Sequence, residues 1–483
     1  MGLATVAVYS ACDRNALHVR LADEACALGP DRASESYLRI DKLIDAAVRT
    51  GADAVHPGYG FLAENADFAE ACATAGLTFI GPGPRAMRAL GCKTDARAVA
   101  TAAGVPVVPG SAAPFPASAS AAELEAGGGA VQYPLFVKAV AGGGGKGMRA
   151  VHAPQDLADA VRLARSEAES AFGDGRVYFE RKLEAPRHIE VQLLGDLHGT
   201  VVPFVERECS IQRRHQKLIE ETPSPAVTPG LRSQLTEAAA AIGRAAGYTS
   251  AGTVEFLVDV SGGFYFLEMN PRLQVEHAIT EAVTGVDFVR AQIEIAAGAT
   301  LGAIMAGRNA GTAPDGHAIE ARVYAENPEN GFLPSPGLIT RLREPGGPGI
   351  RIDSGAFEGW TVPTAYDPLV TKVIAWAPDR GGAIARMVRA LAEYDIRGVD
   401  TTIEFCREVI GSPAFAAGEF DTSTVDGMLE ARARKAAVHD DEIEEMAAVA
   451  AALWTMARHL EASPAAAERE TPWLRHSRVE SLR

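Results

Sequence analysis

Five polar residues alternate with apolar ones in the stretch 264–277. They are Glu268, Asn270, Arg272, Gln274 and Glu276. A β-strand points successive side chains to opposite faces, so this spacing predicts one apolar face and one polar face. An ordinary half-buried strand with a solvated face has the same alternation. Two carboxylates, two amides and a guanidinium are unusual on a solvent face, and they favour a functional site.

A neighbouring strand supplies a third acid. The segment 252–259 reads as a strand with Glu255 in an apolar run, and Ser261-Gly262-Gly263 provides a hairpin turn before residue 264. At ~3.3 Å per residue, Glu268 and Asn270 lie about 6.6 Å apart on one face, with Glu255 across the hairpin. Oxygen ligands favour Mg²⁺ or Mn²⁺, so Glu255, Glu268 and Asn270 are the predicted metal ligands.

Glu276 is predicted to have a separate role. In a straight strand it lies roughly 26 Å from Glu268, so it cannot share the metal unless the chain bends at Pro271. A general base is the natural function for a second acid beside such a site.

Mg²⁺ commonly arrives with phosphates, and one segment could bind them. Lys138 ends a predicted strand that runs into Gly142-Gly143-Gly144-Gly145-Lys146-Gly147. Glycines let backbone N–H groups approach a phosphate, although they serve equally in a flexible linker. Lys146 is not followed by Ser or Thr, so this is not a P-loop. Its position between two strands favours a mobile flap over phosphates.

The cationic cluster Gln212-Arg213-Arg214-His215-Gln216-Lys217 stands out in a chain of net charge −16. Such a cluster is either a solvated loop or an anion site, and its setting between an apolar run and Glu220-Glu221 leaves both interpretations open. The acidic balance argues against nucleic acid or an anionic membrane as a partner.

Length and composition indicate an ordinary globular protein. The 483 residues suggest two to four domains, and 47% are hydrophobic and 22% charged. No membrane span or signal peptide is evident, and six scattered cysteines without a C-x-x-C pair suit a reducing cytoplasm. Predicted strands near 3–9, 54–55 and 77–82 alternate with helices, which indicates an α/β fold with a parallel N-terminal sheet.

Longer helices are predicted over 89–103, with Lys93, and over 281–297. A further helix opens at 440, with an apolar stripe of Ile443, Met446, Val449, Leu453, Met456 and Leu460. That stripe either packs on its own domain or docks another chain, and Trp473 near the end requires a surface to bury against.

The small-residue stretch 111–120 predicts a domain boundary.

Four segments together resemble the biotin carboxylase family of ATP-grasp ligases. They are 56–65 (His-Pro-Gly-Tyr-Gly-Phe-Leu-Ala-Glu-Asn), 142–148, 212–217 and 268–277. The resemblance covers about residues 4–430. It implies that ATP phosphorylates bicarbonate to carboxyphosphate, which breaks down beside biotin, so that a ureido nitrogen of biotin attacks CO2.

The resemblance also implies residue roles. Phosphate contacts fall to Lys93, Lys138, His215 and the flap residues Gly143, Gly144 and Gly145. The adenine and ribose contacts fall to Glu180, Leu183, His188 and Gln212. The bicarbonate pocket falls to Lys217, Arg272, Gln274 and Val275. Glu276 becomes the base that deprotonates bicarbonate, Arg351 stabilises the biotin enolate, and Glu255, Glu268 and Asn270 bind magnesium.

The resemblance implies four regions: an incomplete N-terminal domain over 1–107, an ATP-grasp lid over 108–182, the ATP-grasp and C-terminal domain over 183–430, and a helical linker over 431–483. The chain starts at what resembles the family's second strand, without its Asn-Arg-Gly-Glu-Ile motif. No Met-Lys-Met biotinylation site is present, so biotin is expected on a carrier domain or protein. The tail resembles a linker that engages a carboxyltransferase β subunit in a homo- or hetero-oligomer.

Two other functions remain open at this stage. A carbamoyl-phosphate-synthetase-like ligase shares the fold and carboxyphosphate, but Gln274 to His277 and Arg351 favour biotin. A catalytically impaired scaffold subunit is suggested by the absent first strand and the docking-like tail.

Overall fold

A computed structural model describes residues 1–140, 147–307, 313–432, 434, 446 and 449–454. They fall into two units, Met1–Ser423 and a second unit that begins at Thr424. Within the described ranges, no helix has the length and apolar character needed to cross a lipid bilayer.

The N-terminal region alternates short strands and helices, as predicted. Its elements are β1 (Val6–Ser10), α1 (Leu17–Leu21), β2 (Glu24–Gly29), α2 (Ile40–Thr50), β3 (Ala54–Val55), α3 (Ala66–Thr74), β4 (Thr78–Phe79), α4 (Pro84–Gly91) and α5 (Lys93–Ala102). Strand β1 pairs in parallel with β2, and β3 pairs in parallel with β4, so two separate two-stranded sheets form. The single helix predicted over 89–103 is wrong: Cys92 has extended backbone angles, and Lys93 is the first residue of α5.

A small antiparallel sheet follows. Its elements are α6 (Ala121–Val131), β5 (Leu135–Ala139), β6 (Met148–Val151), α7 (Leu157–Phe172) and β7 (Val177–Arg181), with strand order β6-β5-β7. One face of the sheet is apolar: Leu135, Val137, Val177 and Phe179 are fully buried against the helices. The predicted flap glycines Gly143, Gly144 and Gly145 lie outside the described residues.

The central part of the chain builds most of the large sheet. Its elements are β8 (Arg187–Gly195), β9 (Val201–Arg213), β10 (Gln216–Thr222), α8 (Pro229–Ala245), β11 (Ser250–Val258), β12 (Phe264–Asn270), α9 (His277–Thr284), α10 (Phe288–Ala296) and α11 (Leu301–Ile304). The helix predicted over 281–297 is wrong, because Gly285 adopts a left-handed conformation and ends α9 three residues before α10 begins.

The last region of this unit extends the same sheet. Its elements are β13 (His317–Tyr324), β14 (Glu326–Asn327), β15 (Leu333–Pro334), β16 (Gly337–Leu338), β17 (Arg341–Arg343), β18 (Ile350–Ser354), β19 (Thr361–Val362), β20 (Leu369–Ala377), α12 (Arg380–Glu393), β21 (Asp395–Arg397), α13 (Ile403–Ile410) and α14 (Pro413–Ala417). The eight-stranded antiparallel order is β12-β11-β8-β9-β10-β13-β20-β18.

Both faces of this sheet are covered near its centre. Ile189 and Val191 of β8 join a core with Leu235 and Ile242 of α8, whereas Val205 of β9 packs with α9 on the opposite face. The alternate residues of these strands include charged side chains that are fully buried. A buried charge requires a partner, and such partners gather beside α9.

The second unit is helical over 424–432 and at the described residues 446 and 449–454. Of the predicted apolar stripe, Met446, Val449 and Leu453 are exposed. The remaining stripe residues and Trp473 lie outside the described residues.

Candidate active site

The hairpin of β11 and β12 brings the three predicted metal ligands together. Glu255 lies opposite Glu268 in the ladder, and Asn270 lies opposite Thr253. The turn at Ser261-Gly262-Gly263 is present, with Gly262 at a positive φ of 84°. Asn270 Nδ2 donates to Glu255 Oε1 at 2.9 Å. The Asn270 amide N–H therefore contacts Glu255, the amide oxygen of Asn270 accepts from Arg272, and Glu268 lies opposite Glu255 on the neighbouring strand.

The donor set of this hairpin suits a divalent cation. Among the described residues, the Glu268 carboxylate has no hydrogen bond or ion pair, although it directly faces Glu255. Burial and the Glu255 charge raise the pKa of Glu268, and Lys93 at the start of α5 partly opposes them. Two facing carboxylates repel each other unless a cation lies between them, and oxygen donors fit Mg²⁺ or Mn²⁺.

One ammonium group joins this hairpin to the rest of the site. Lys217 Nζ of β10 lies 2.6 Å from Glu190 Oε2, 2.9 Å from Glu255 Oε1 and 2.6 Å from Glu276 Oε1. Burial alone would lower the pKa of Lys217, but these three carboxylates raise it well above its ordinary value. The three carboxylates therefore favour the charged ammonium form of Lys217.

Glu276 is much closer to the predicted metal ligands than a straight strand would allow. Strand β12 ends at Asn270, the chain turns over 271–276, and α9 begins at His277. The prediction of a continued strand is wrong because Pro271 has no N–H to extend the ladder. As a result, Glu276 and Glu255 contact the same Lys217 ammonium.

The Glu276 carboxylate is fully buried between two cations. Its Oε1 accepts from Lys217, and its Oε2 accepts from Arg322 Nη2 of β13 at 2.9 Å. Burial would raise the pKa of Glu276, but Lys217, Arg322 and Arg207 lower it well below its ordinary value. The surrounding cations thus hold Glu276 as a carboxylate, the form that a general base requires.

A fully buried arginine fixes the far side of Lys217. Arg207 Nε of β9 donates to Glu190 Oε1, and its Nη1 donates to Gln192 and to Thr280 at 2.9 Å each. Lys217 takes the other oxygen of Glu190. Glu190 therefore orients the Lys217 ammonium without facing solvent.

The predicted nucleotide-binding residues lie on strands and turns around this cluster. His188 Nε2 is 2.8 Å from Glu255 Oε2. Gln212 lies opposite Lys217 in the ladder. The Lys138 ammonium and Arg97 Nη1 both contact the Glu180 carboxylate. Leu183 lies between β7 and β8, half-buried.

The residues of the predicted cationic cluster 212–217 do not all lie in one place, because successive side chains of a β-strand point to opposite faces. Lys217 enters the site, whereas Arg213 Nη2 lies 3.1 Å from Glu326 Oε2 and its guanidinium stacks on Phe332. Arg214 and His215 form the exposed two-residue turn between β9 and β10, and both have positive φ.

The predicted bicarbonate residues follow the metal ligands along the chain. Arg272 Nε lies 2.9 Å from Glu64 Oε1, and its Nη2 donates to Asn270 Oδ1 at 3.3 Å. Gln274 Nε2 donates to Glu255 Oε1 at 3.0 Å. The Val275 carbonyl accepts from Lys372 Nζ at 2.5 Å. The bend after Asn270 thus brings Gln274 Oε1 to 3.4 Å from Lys217 Nζ, the ammonium that also contacts Glu276.

Arg351 lies on the edge strand β18 and is 44% exposed. Its Nη1 is 2.6 Å from Glu281 Oε2 of α9, and its Nε is 2.7 Å from Asp353. Asp353 also lies 3.3 Å from Lys372, which connects Arg351 to the Val275 backbone. The structure therefore places Arg351 beside the site but not in contact with Glu276.

Several buried or partly buried charged residues in and around the site were not predicted from the sequence. They are Arg97, Glu190, Arg207, Glu220, Glu320, Arg322 and Lys372. Alternation offered a signal in two strands: Glu190 follows His188 by two residues, and Glu320 and Arg322 are two apart within the apolar β13. A charged residue inside a strand that is buried on both faces requires a partner, and this rule could have identified them.

Comparison with known proteins gives three family matches in order along the chain. The biotin carboxylase N-terminal domain matches residues 1–87, the carbamoyl-phosphate synthase L chain ATP-binding domain matches 92–304, and the biotin carboxylase C-terminal domain matches 320–427. The biotin carboxylase of Nostoc sp. is 49% identical over 428 residues, 89% of this chain and 94% of that protein. A pyruvate carboxylase subunit of Methanothermobacter thermautotrophicus is 48% identical over 448 residues, 92% of this chain and 90% of that protein.

Solved structures agree with these matches. A biotin carboxylase from Campylobacter jejuni, crystallised as a β,γ-ATP complex, superposes with a TM-score of 0.84 at 44% identity, covering 88% of this chain and 94% of that one. The biotin carboxylase domain dimer of the Hydrogenobacter thermophilus 2-oxoglutarate carboxylase, solved with MgADP, ADP and bicarbonate, gives 0.83 at 42% identity, covering 88% and 92%.

Fold and site together define an ATP-dependent carboxylase ligase, in which an oxygen-donor hairpin lies beside a buried carboxylate held between two cations. The biotin carboxylase domains on both sides of the ATP-binding domain distinguish it from a carbamoyl-phosphate synthetase. The chain belongs to the biotin carboxylase family.

Proposed function

We propose that the chain uses ATP and bicarbonate to carboxylate biotin that a separate carrier domain or protein presents. The observation that carries this proposal is the buried Glu276 carboxylate, held by Lys217 and Arg322 beside the three oxygen donors of the hairpin. Family membership supports the reaction, and the side-chain network supports the assignment of its steps.

Bicarbonate is proposed to bind between Lys217, Arg272, Gln274 and the Val275 backbone. Two cations and an amide suit a small planar anion. Glu276 then takes the bicarbonate proton, and a bicarbonate oxygen attacks the terminal phosphorus of ATP while the bond from that phosphorus to ADP breaks. The chain contributes positioning and charge neutralisation rather than covalent chemistry.

Lys93, Lys138 and His215 are proposed to contact the phosphates of ATP, and Glu180, Leu183, His188 and Gln212 to surround its adenine and ribose. Magnesium or manganese, held by Glu255, Glu268 and Asn270, would neutralise phosphate oxygens. Lys138 now contacts Glu180, and that contact would have to change for the ammonium to reach a phosphate.

Arg351 is proposed to stabilise the enolate form of biotin. Carboxyphosphate breaks down into CO2 and phosphate, the released phosphate takes the proton of the ureido nitrogen, and that nitrogen bonds to CO2. A guanidinium is suited to the negative charge that develops on the ureido oxygen. The partial exposure of Arg351 leaves it accessible to a carrier that approaches from solvent.

Partners and location complete the proposal. The tail after residue 430 would engage a carboxyltransferase β subunit, and the chain would form homo- or hetero-oligomers. The biotin carboxylase domain of Hydrogenobacter thermophilus is a dimer, which supports this expectation by similarity. A cytoplasmic location is supported by six cysteines that are all unpaired thiols.

Replacing Glu276 by Gln tests the proposed base. We expect bicarbonate-dependent ATP hydrolysis, measured with free biotin, to fall by roughly 10²- to 10⁴-fold, because the amide cannot accept the proton. ATP affinity, measured by calorimetry, should change less than about threefold, since Glu276 contacts no proposed nucleotide-binding residue.

The matched control is Glu237→Gln, which removes one carboxylate from an exposed pair with Arg244 on α8. It should hydrolyse ATP at the wild-type rate. Full turnover in Glu276→Gln, or an equal loss in both variants, would remove Glu276 from the role of general base.

A further inference from the structure

Two acids in the core of the large sheet have no role in the proposed reaction. Glu220 of β10 and Glu320 of β13 are directly opposite in the antiparallel ladder, and both are fully buried. Residues directly opposite each other have Cβ atoms about 5 Å apart on the same face. Two ionised carboxylates at this distance repel each other strongly in a dry interior.

The surrounding hydrogen bonds do not satisfy this pair. Within the described part of the chain, neither oxygen of Glu220 and neither oxygen of Glu320 has an aligned hydrogen-bond donor. Arg322 Nη2 lies 2.6 Å from Glu220 Oε1 without that alignment, while the same nitrogen donates to Glu276 Oε2 at 2.9 Å. One guanidinium nitrogen is therefore shared between the acid pair and the proposed base.

We propose that Glu220 and Glu320 form a proton-sharing pair that positions Arg322 against Glu276 and so sets the strength of Glu276 as a base. The proposal rests on the proposed role of Glu276 and deepens it. Glu220, Glu320 and Arg322 are positioning residues, since they act through Glu276.

The charges that face the pair explain how it titrates. Those around Glu220 are Arg322, Glu320, Glu276, Lys217, Tyr324, Cys209 and Cys406. Those around Glu320 are Lys372, Arg322, Glu276, Asp353 and Glu220. Burial raises the pKa of Glu220 to about 8 and that of Glu320 to about 7, more than the cations lower them. The two protonation steps with these pKa values belong to the pair as a whole and not to one acid each.

The link to Glu276 follows from sharing one cation. Below pH 7 the pair holds its protons, so Arg322 is free to neutralise Glu276 and keep it a weak base. As the pair ionises above pH 7, its negative charge competes for Arg322 and adds to the potential at Glu276. Both effects raise the proton affinity of Glu276 and strengthen it as a base.

The variant Glu320→Gln tests this link in the full chain. Glutamine matches the protonated acid in shape and cannot ionise, so at high pH the variant carries one negative charge fewer beside Arg322 than the wild type does. We expect kcat for bicarbonate-dependent ATP hydrolysis to match the wild type near pH 6. By pH 8.5 it should fall about threefold to tenfold below the wild type, which gains the stronger base.

Two comparisons separate positioning from simple structural damage. Glu320→Asp keeps a titratable carboxyl and should retain the rise in kcat above pH 7. Glu404→Gln, which alters an exposed pair with Arg407 on α13, should follow the wild-type profile throughout. Only differences between variants are used, so that groups common to all of them, such as His188, cancel. The pKa of His277 is lowered by burial to about 4, so this residue does not titrate in this range.

Infrared spectra of the chain with ¹³C-labelled glutamate give a readout that does not depend on turnover. We expect a band from a protonated glutamate at pH 6 that declines toward pH 9, and a weaker band in both Glu320→Gln and Glu220→Gln. If Glu276→Gln were active while this band persisted, the proposed base would fail but the proton-sharing pair would stand.

The inference is overturned if the wild-type spectrum has no such band at pH 6, or if Glu320→Gln has the wild-type kcat profile from pH 6 to 9. If Glu320→Gln failed to fold, Glu220→Gln would replace it, and the same loss of the rise above pH 7 is expected. A wild-type profile in that folded variant also overturns the inference.

Discussion

The two faces of β9 carry buried charges that are arranged in opposite ways. On one face, Glu206 accepts from Arg232 Nε at 2.6 Å, from Arg232 Nη2 at 2.7 Å and from the Ser224 N–H at 3.1 Å. On the other face, Arg207 contacts Glu190. The Lys217 ammonium contacts Glu190 as well, together with Glu255 and Glu276. The first carboxylate has its own cation, whereas the three carboxylates of the second set share Lys217, with Arg207 also contacting Glu190 and Arg322 also contacting Glu276.

This difference separates a structural ion pair from a site. A carboxylate with a bidentate arginine has nothing left to bind, and its neighbours need not move. Acids that share a cation keep free lone pairs, and their proton affinities depend on each other. Unequal sharing of charge, more than burial, therefore distinguishes the reactive face of β9.

Replacing Lys217 by Met should have the largest effect. Without the ammonium, Glu190, Glu255 and Glu276 repel one another, so the pKa values of Glu255 and Glu276 rise and the bicarbonate pocket loses a cation. We expect kcat/KM for bicarbonate to fall by more than about 100-fold. Steady-state kinetics against bicarbonate measures this, and a loss below about fivefold would contradict the assignment.

Replacing Arg232 by Met makes the same change of charge on the structural face. Glu206 would remain fully buried with only the Ser224 N–H, so we expect a loss of about 3–5 kcal/mol in the free energy of unfolding. The kcat of the folded fraction should stay within about twofold, because Arg232 touches no residue of the site. Urea denaturation and kinetics on the same sample measure both values.

The double variant Arg232→Met/Glu206→Gln removes the uncompensated charge and should recover part of that stability. A large loss of kcat in the folded Arg232→Met protein would show that the two faces of β9 are not independent.

The pH dependence of stability should show the smallest effect. Glu220 and Glu320 have pKa values above the unfolded value near 4.5, so their contribution is complete below that pH and is lost as the pH rises through about 7 and 8. We expect the free energy of unfolding of the wild type to fall between pH 5 and pH 8.5 through this pair. Glu320→Gln should lose less, as chemical denaturation at each pH would measure.

Glu255 and Glu276 have the opposite sign. Their pKa values are lowered in the folded chain, so the stability they contribute is present above about pH 4.5 and is lost on further acidification. Glu320→Gln should leave this acid limb unchanged. If Glu320→Gln changed the free energy of unfolding only below about pH 4.5, Glu220 and Glu320 would not be the groups that titrate near pH 7 and 8.

The sequence was most informative where the geometry is local. Glu255, Glu268 and Asn270 belong to one hairpin, so alternation and a two-strand turn were enough to bring them together. Glu276 was misplaced because a period-two pattern continues past Pro271, although the strand does not. Residues far apart in the chain were harder to predict. Arg322 of β13 meets Glu276, which directly precedes α9, because α9 packs against β13, and no local pattern encodes that packing.

The role of Arg351 could not be predicted from any sequence pattern. Its position on an edge strand and its partial exposure are those of an ordinary surface arginine, and only resemblance to a family suggested its role. The domain limits and the roles of the individual site residues stay predictions, while the α/β fold and the family are confirmed.

The turn between β9 and β10 has a consequence for engineering. Both of its residues, Arg214 and His215, adopt positive φ, a conformation for which asparagine followed by glycine is far better suited. A search for heat-resistant variants would therefore favour that replacement, with a gain of about 1 kcal/mol. It would also delete the imidazole that we assign to the nucleotide, so selection for thermal tolerance alone would erode activity at this hairpin tip.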